Sequence, residues 1–583
     1  MGAMPDPTPV EVENMERMQT TDTNGEVRIH AKTIVVVAAI CFTYFAQLVG
    51  VVGSGLLAGT ITTVLSASGD SVWLSQVITV LTVCLSPIFT QAADYWGRKW
   101  LIVSATTFGF VGAIVASRAQ TIGTVIGGFT IMGVCYGAQP LLHAVASEVL
   151  PRKHRPIAQA SINFSAGTGV ITGVCMGGGL LRGGELENFR IYLYVVAAIF
   201  ALATVAIATC YNPPTRELQK TLTFSQKLRS LDWIGYCLLI PGLVLFCVGL
   251  AWYKNPYAFS NARVLGTFIA GIVVSIAFFV YETRFKTDGV LHHDLFKHRN
   301  FSLALLCVFV EGLAFFAANS YYVYETALFT DNDILISALH FGLISVVANV
   351  ASVFVGVWSS TRKVLRLPVL IGFVLFLLFF VLMATTTPRS PKNVLWGYPV
   401  LAGIGMGILL PTIIVAAQLS TPPHMISLAS GLVISIRSLG AAIGIAINNA
   451  IYNDALAKNI APKIAAAVLP LGLPKSSLVT LIPAVVASNA TALQNVPGAT
   501  PEIIAAAQGG LIEAFSIGFR NAWIAAASFV AVAVVGSLFL MDDSSEFTTH
   551  IDAPAELSVQ VAQERKEEVE NIPGQGSHHK EIT

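Results

Sequence analysis

The sequence predicts an all-α membrane protein with fourteen transmembrane helices, on three observations. Of 583 residues, 54% are hydrophobic and only 11% are charged, whereas a soluble chain carries about a quarter charged residues. The mean hydropathy is +0.70. The apolar residues gather into stretches of about 20, the length a helix needs to cross about 30 Å of hydrocarbon, where no water pairs a bare backbone group. A water-soluble enzyme, a disordered chain and a nucleic-acid binder are excluded together. With 34 Lys and Arg against 33 Asp and Glu, the net charge of +1 lacks the basic excess that phosphate backbones require.

In chain order, residues 1–32 are polar and acidic (Asp6, Glu11, Glu13, Glu16, Asp22, Glu26) and read as a disordered cytosolic tail. A cleaved signal peptide would start positive. Spans 33–57, 71–92, 100–118, 121–146, 157–181 and 189–210 make an N-terminal six-helix bundle, 33–210. Spans 232–252 and 262–281 lie in a connecting stretch, 211–300, and read as a two-helix peripheral insert. Spans 301–328, 335–358, 368–386, 394–417, 425–451 and 521–541 make the second bundle, 301–541. Within it, 452–520 mixes apolar runs with Pro470, Pro474, Pro483 and Pro497, so short helices lying on the outer surface are expected there. The polar stretch 542–583 reads as a second disordered cytosolic tail.

Lys and Arg cluster in one alternating set of loops, as at Arg98-Lys99, Arg152-Lys153 and Arg362-Lys363. The opposite set carries only scattered ones such as Arg118 and Arg389, so the first set is expected to be cytosolic, with both termini. The sequon at Asn489 then falls outside the cell and is a candidate for glycosylation. The plasma membrane is the expected location, with the vacuolar membrane as the alternative. All eight cysteines lie in or beside apolar runs, as small hydrophobes.

The two halves echo each other. Gly133-x-x-x-Gly137 and Gly169-x-x-x-Gly173 recur as Gly403-x-x-x-Gly407 and Gly440-x-x-x-Gly444. Such spacing marks close helix packing in membranes. Its repetition points to two parallel repeats with a substrate site between them at mid-depth.

Glu311 lies about ten residues into the ninth span and Arg437 about twelve into the thirteenth, each roughly 15–18 Å from the cytosolic end at 1.5 Å per residue. A lone charge at that depth costs at least about 2.5–3.5 kcal/mol, so each needs a partner or a wet cavity. Glu311 is a candidate proton carrier with Arg437 as its regulator; a static structural pair is the other reading.

The loop Asp94-x-x-Gly97-Arg98-Lys99 resembles the loop signature of the major facilitator superfamily, and Gly169, Gly173, Gly177 and Gly178 resemble its drug:proton antiporter motif. Leu231-Asp232-Trp233-Ile234-Gly235, Phe296 to Phe301, Trp396 to Pro411 and Arg437-Ser438-Leu439-Gly440 are similar to fungal trichothecene efflux pumps and the related siderophore-iron transporters. The resemblance covers about 33–541. It departs at Thr90, where the signature has Gly, at Val174, where the motif has Pro, and in the absence of Lys or Arg between Thr121 and Val149.

The resemblance implies the major facilitator fold, two six-helix bundles plus two inserted helices, and a monomer working with protons, a small-molecule substrate and the lipid bilayer. It implies a gating loop at Asp94, Gly97, Arg98 and Lys99, with Asp94 facing the start of the thirteenth span. It also implies a cavity between the first, fourth, ninth and twelfth spans. On the inward faces of these stand Tyr44 and Gln47; Tyr136, Gln139 and His143; and Glu311, Phe315, Asn319 and Tyr322. That aromatic cleft suits an amphiphilic compound, and His143 is a candidate proton relay. Export of a toxin, drug or secondary metabolite against proton entry is expected, with proton-coupled import of a ferric siderophore as the alternative. No Walker sequence, esterase elbow or metal site is read, so neither enzyme activity nor a cofactor is expected.

Overall fold

The computed structural model describes residues 31–65, 71–181, 185–214, 217–252, 260–330, 334–487 and 490–553. Among them, fourteen helices are long and apolar enough to cross a membrane. The first six are α1 (Ala31–Leu56), α2 (Ser71–Trp96), α3 (Arg98–Ser117), α4 (Ile122–Glu148), α5 (Arg155–Leu181) and α6 (Phe189–Cys210). α7 (Trp233–Trp252) and α8 (Ala262–Arg284) follow. The rest are α9 (Arg299–Thr330), α10 (Ile334–Arg362), α11 (Arg366–Ala384), α12 (Val394–Leu419), α13 (Ile426–Val468) and α14 (Pro501–Ser537). Odd-numbered helices begin at the end where α1 enters and α14 leaves, called proximal here, and run to the distal end.

Two six-helix bundles, α1–α6 and α9–α14, are joined through the inserted pair. The glycine motifs show how the bundles correspond. On α4, a Cβ at Gly133 or Gly137 would lie 2.6 Å from side-chain atoms of Leu81 or Leu85 on α2. On α12, a Cβ at Gly403 or Gly407 would lie 2.7 or 2.3 Å from carbonyl oxygens of Ile344 or Ala348 on α10. Gly169 and Gly173 of α5 press on Phe45, Leu48 and Val52 of α1, while Gly440 and Gly444 of α13 press on the Phe309 and Leu313 carbonyls of α9. Gly177 lies against Leu56, and Gly178 is buried on the same helix. The small-residue contact α4-on-α2 with α5-on-α1 thus recurs as α12-on-α10 with α13-on-α9.

α7 and α8 pack together through Gly249 on Phe268 and Gly271 on Phe246. α7 leans on α2, where Tyr236 is hydrogen-bonded to Gln91, and Ile269, Val273, Ile276 and Phe279 of α8 are exposed as a lipid-facing row. The Leu231 to Gly235 motif acquires a role here. The Asp232 carboxylate accepts the Gly235 N–H at 2.9 Å to cap α7, and lies against the buried Glu282 of α8, with Gly235 and Gly289 leaving the space.

The stretch 452–520 differs from its expectation of short surface helices. α13 continues unbroken to Val468, through Pro462, and α14 already begins at Pro501. Only Leu478–Val486 and shorter turns fit the expected form. The two extensions enclose a distal core of Ile464, Val468, Leu481, Val485, Ile503 and Ala507. Polar Asn453, Asp454, Lys458 and Asn459 end the apolar stretch but not the helix, because the Ala-rich sequence beyond them is a strong helix former.

The reading of everything beyond Asp542 as disordered also needs correction over 542–553. Asp542 Oδ1 accepts the Leu365 and Arg366 N–H groups at 2.6 and 2.8 Å, holding the segment to the second bundle. The segment then crosses to the first bundle. Arg152 N–H donates to the His550 carbonyl at 3.0 Å, Lys153 N–H to Thr548 at 2.9 Å, and Ala553 N–H to Glu148 at 3.0 Å. Asp552 is buried between the guanidinium groups of Arg152 and Arg155. Composition alone missed this, because the partner charges lie about 400 residues earlier in the chain.

Candidate functional site

Gly312 lets α9 approach α13, since a Cβ there would lie 2.1 Å from the Arg437 carbonyl oxygen. That approach places Glu311 opposite Arg437, with Nε–Oε2 at 2.6 Å and Nη2–Oε1 at 3.0 Å. Such a two-point fork is the strong geometry for these groups. Glu311 is fully buried and Arg437 nearly so, and the guanidinium lies 5.5 and 5.6 Å from the ring centres of Phe315 and Phe316. The pair and its aromatic platform set a buried acid beside a cation that two ring faces also flank.

The first bundle brings Tyr44, Gln139 and His143 together. Gln139 Nε2 donates to Tyr44 Oη at 2.7 Å, and the Tyr44 and His143 rings meet edge to face at 5.1 Å. His143 Nδ1 lies 2.7 Å from Gln159 Oε1; because Gln159 Nε2 donates to the His143 carbonyl and to Ser147 Oγ, Nδ1 is assigned as the proton-bearing nitrogen.

Three of the residues expected to line a cavity are bonded to neighbouring helices. Gln47 is buried with Nε2 bonded to the Cys135 carbonyl at 3.0 Å, and Tyr136 gives its hydroxyl to the Gln47 carbonyl, so both pin α1 to α4. Tyr322 gives its hydroxyl to the Leu395 carbonyl within the core of the second bundle. The α-helical period places these residues on inward faces but does not distinguish cavity from neighbouring helix. The Asn319 side chain and Asn489 lie outside the described residues.

At the proximal end, Gly97 adopts φ +89°, and a Cβ there would strike the Gln219 side chain at 2.4 Å, which is why this turn takes glycine. Arg98 is buried, ion-paired with Glu148 of α4 and hydrogen-bonded to Ser427 Oγ in the first turn of α13. The expected link from this loop to α13 therefore runs through Arg98, with Asp94 Oδ1 4.0 Å from its guanidinium. Lys99 is hydrogen-bonded to Asn212 at the surface.

Further buried polar residues join the halves there. Ser147 Oγ donates to Gln418 Oε1 at 2.7 Å and Ser435 Oγ donates to the Val83 carbonyl at 2.7 Å, while within the second bundle Gln418 Nε2 donates to Ser430 Oγ at 2.9 Å. The sequence points to polar residues on the first, fourth and ninth spans, whereas Gln159 stands on the fifth and Gln418 on the twelfth; Gln at matching depth in those two spans is the signal that marks them. Sequence reasoning also missed Glu325, buried near the distal end of α9, where Thr386 Oγ1 and Trp523 Nε1 each donate to its carboxylate at 2.7 Å. Before α9, the segment that holds His292, His293 and Asp294 is bonded within itself and to α8, His293 Nε2 lying 3.0 Å from the Glu282 carbonyl oxygen. His292 accepts the Asp294 N–H, and Lys297 beside Asp294 holds that carboxyl below its usual range.

Two helix bundles closing at one end around a mid-depth charge pair are the architecture of a membrane transporter. The chain belongs to the Major Facilitator Superfamily, whose model matches residues 39–445. Among curated relatives it is 26% identical to the MFS-type efflux transporter pyiT of Pyricularia grisea, over 66% of this chain and 63% of that one. It is 26% identical to the efflux pump apf11 of Gibberella fujikuroi, over 70% and 74% of the two chains. It is 22% identical to the trichothecene efflux pump TRI12 of Fusarium sporotrichioides, over 79% and 78%. Among solved structures, the proton:xylose symporter XylE aligns with a TM-score of 0.51 at 11% identity, covering 89% of this chain and 97% of that one. A bacterial homolog of the human lysosomal transporter Spinster also gives 0.51, at 14% identity, with 88% and 98% covered. These likenesses are to the fold.

Proposed function

We propose that the chain is a proton-coupled secondary transporter that exports a small amphiphilic organic compound by alternating access. The reading rests above all on the forked Glu311–Arg437 pair at mid-depth, flanked by Phe315, Phe316, Tyr44 and His143. Protonation of Glu311 removes the carboxylate that holds Arg437 and leaves that cation to seek Tyr44 or the substrate. The aromatic faces around the pair suit a flat or oxygenated apolar compound. The Lys and Arg bias makes the proximal end cytosolic, so the closed gate at Arg98, Glu148 and Ser427 faces the cytosol and the distal extensions stand outside. Asn489 then lies on the glycosylated side, in a plasma-membrane protein. The efflux names of the relatives favour export over siderophore import.

The test is accumulation of labelled toxins and ferric siderophores in cells with and without the protein, with and without an uncoupler. Lower toxin accumulation that the uncoupler abolishes is the expected result. Protein-dependent siderophore gain with unchanged toxin levels would overturn export.

A further inference from the structure

Gln418 is fully buried near the proximal end of α12, and its polar atoms serve both halves. Its Oε1 accepts from Ser147 of α4 at 2.7 Å, and its Nε2 donates to Ser430 of α13 at 2.9 Å and to the His143 carbonyl at 3.4 Å. Its backbone carbonyl accepts Nη1 of Arg155 on α5 at 3.3 Å. The other arm of Arg155 is ion-paired with Asp552 in the segment 542–553, which is itself held to the second bundle by Asp542. One chain of bonds therefore runs from the C-terminal segment through Arg155, Gln418, Ser147 and Gln159 to His143, which meets Tyr44 beside the central pair.

We infer that Gln418 is the positioning residue of the proximal gate, and that it couples the segment 542–553 to the central site. The inference rests on the alternating-access reading above. Separating the halves at this end breaks the bonds from Gln418 to Ser147, His143 and Arg155 together, inside a buried interface. They are neutral except for the one from Arg155, so opening strands no bare charge as long as Asp552 stays with Arg155. Detaching the segment instead leaves the Arg155 guanidinium buried without its carboxylate, which penalises the closed gate. The segment is thus a strap whose seating favours closure, and Gln418 transmits that seating inward.

Hydrogen exchange on the full chain in nanodiscs tests this without substrate or proton gradient, so its outcome is separate from that of the export reading. Asp552→Asn and Gln418→Leu should each raise amide exchange in 141–160 and 412–430 by about tenfold, while the distal core 464–507 stays protected and reports an intact fold. The double variant should exchange no faster than Gln418→Leu alone, because both act through one network. If Gln418→Leu does not fold, Ser147→Ala, which loses the bonds to Gln418 and Gln159, and Ser430→Ala, which loses the bond from Gln418, should raise exchange in the same two segments. Unchanged exchange at 412–430 in Asp552→Asn, or additive effects in the double variant, would overturn the inference.

Discussion

Glu311, fully buried, and Arg437, nearly so, hold each other through two hydrogen bonds, so substitutions at either position act through the partner left behind. Glu311→Gln keeps the shape and removes the negative charge. Transport driven by a pH gradient should stop while substrate binding survives, and full gradient-driven transport by this variant would end the carrier role. Arg437→Lys retains a charge but not the fork, and should lower transport at least tenfold in the same flux assay. Gly312 is less obvious. A methyl there would meet the Arg437 carbonyl oxygen at 2.1 Å, so Gly312→Ala should cost about 1–3 kcal/mol of stability and misplace the pair, seen as a lowered thermal midpoint with reduced turnover.

At the level of single helices, the distal half of α9 depends on Glu325. Its carboxylate joins α9 to Thr386 after α11 and to Trp523 of α14. Trp523→Phe keeps most of the apolar contact but removes one donor from a buried acceptor. A loss of about 1–3 kcal/mol is expected, read as a lower midpoint of thermal unfolding in detergent. The distal extensions form a separate core, so Leu481→Ala should cost about 2–5 kcal/mol within that core. Exchange should rise across 464–507 while the spans keep their protection. Their length escaped the sequence reading because hydropathy measures how much helix lipid can cover, whereas propensity and packing decide where the helix stops.

For the whole molecule, the two bundles use the same small-residue contacts, which makes paired substitutions informative. Gly133 of α4 faces the Cδ1 tip of the Leu81 side chain at 2.6 Å, and Gly407 of α12 faces the Ala348 backbone carbonyl at 2.3 Å. A side chain can rotate away and a helix backbone cannot. Gly407→Ala should therefore lower the thermal midpoint more than Gly133→Ala, and equal shifts would contradict the packing described. The fold was legible at this scale: span count, both bundles, the insert and the glycine repeat follow from apolar length and spacing. The site was legible in part. Glu311 and Arg437 stood out because charge in oil is costly, but Gln47, Tyr136 and Tyr322, named by helical period, turned out to brace neighbouring helices.

The sequence by itself determined that this chain crosses a membrane fourteen times in two related halves, because lipid imposes a length and a polarity on every span regardless of its neighbours. Only the tertiary structure decided which polar groups meet. Gln418 finds Ser147, Asp552 finds Arg155 and Arg98 finds Ser427 across hundreds of residues. Such pairings depend on how helices rotate and approach one another, and no local pattern along the chain carries that information.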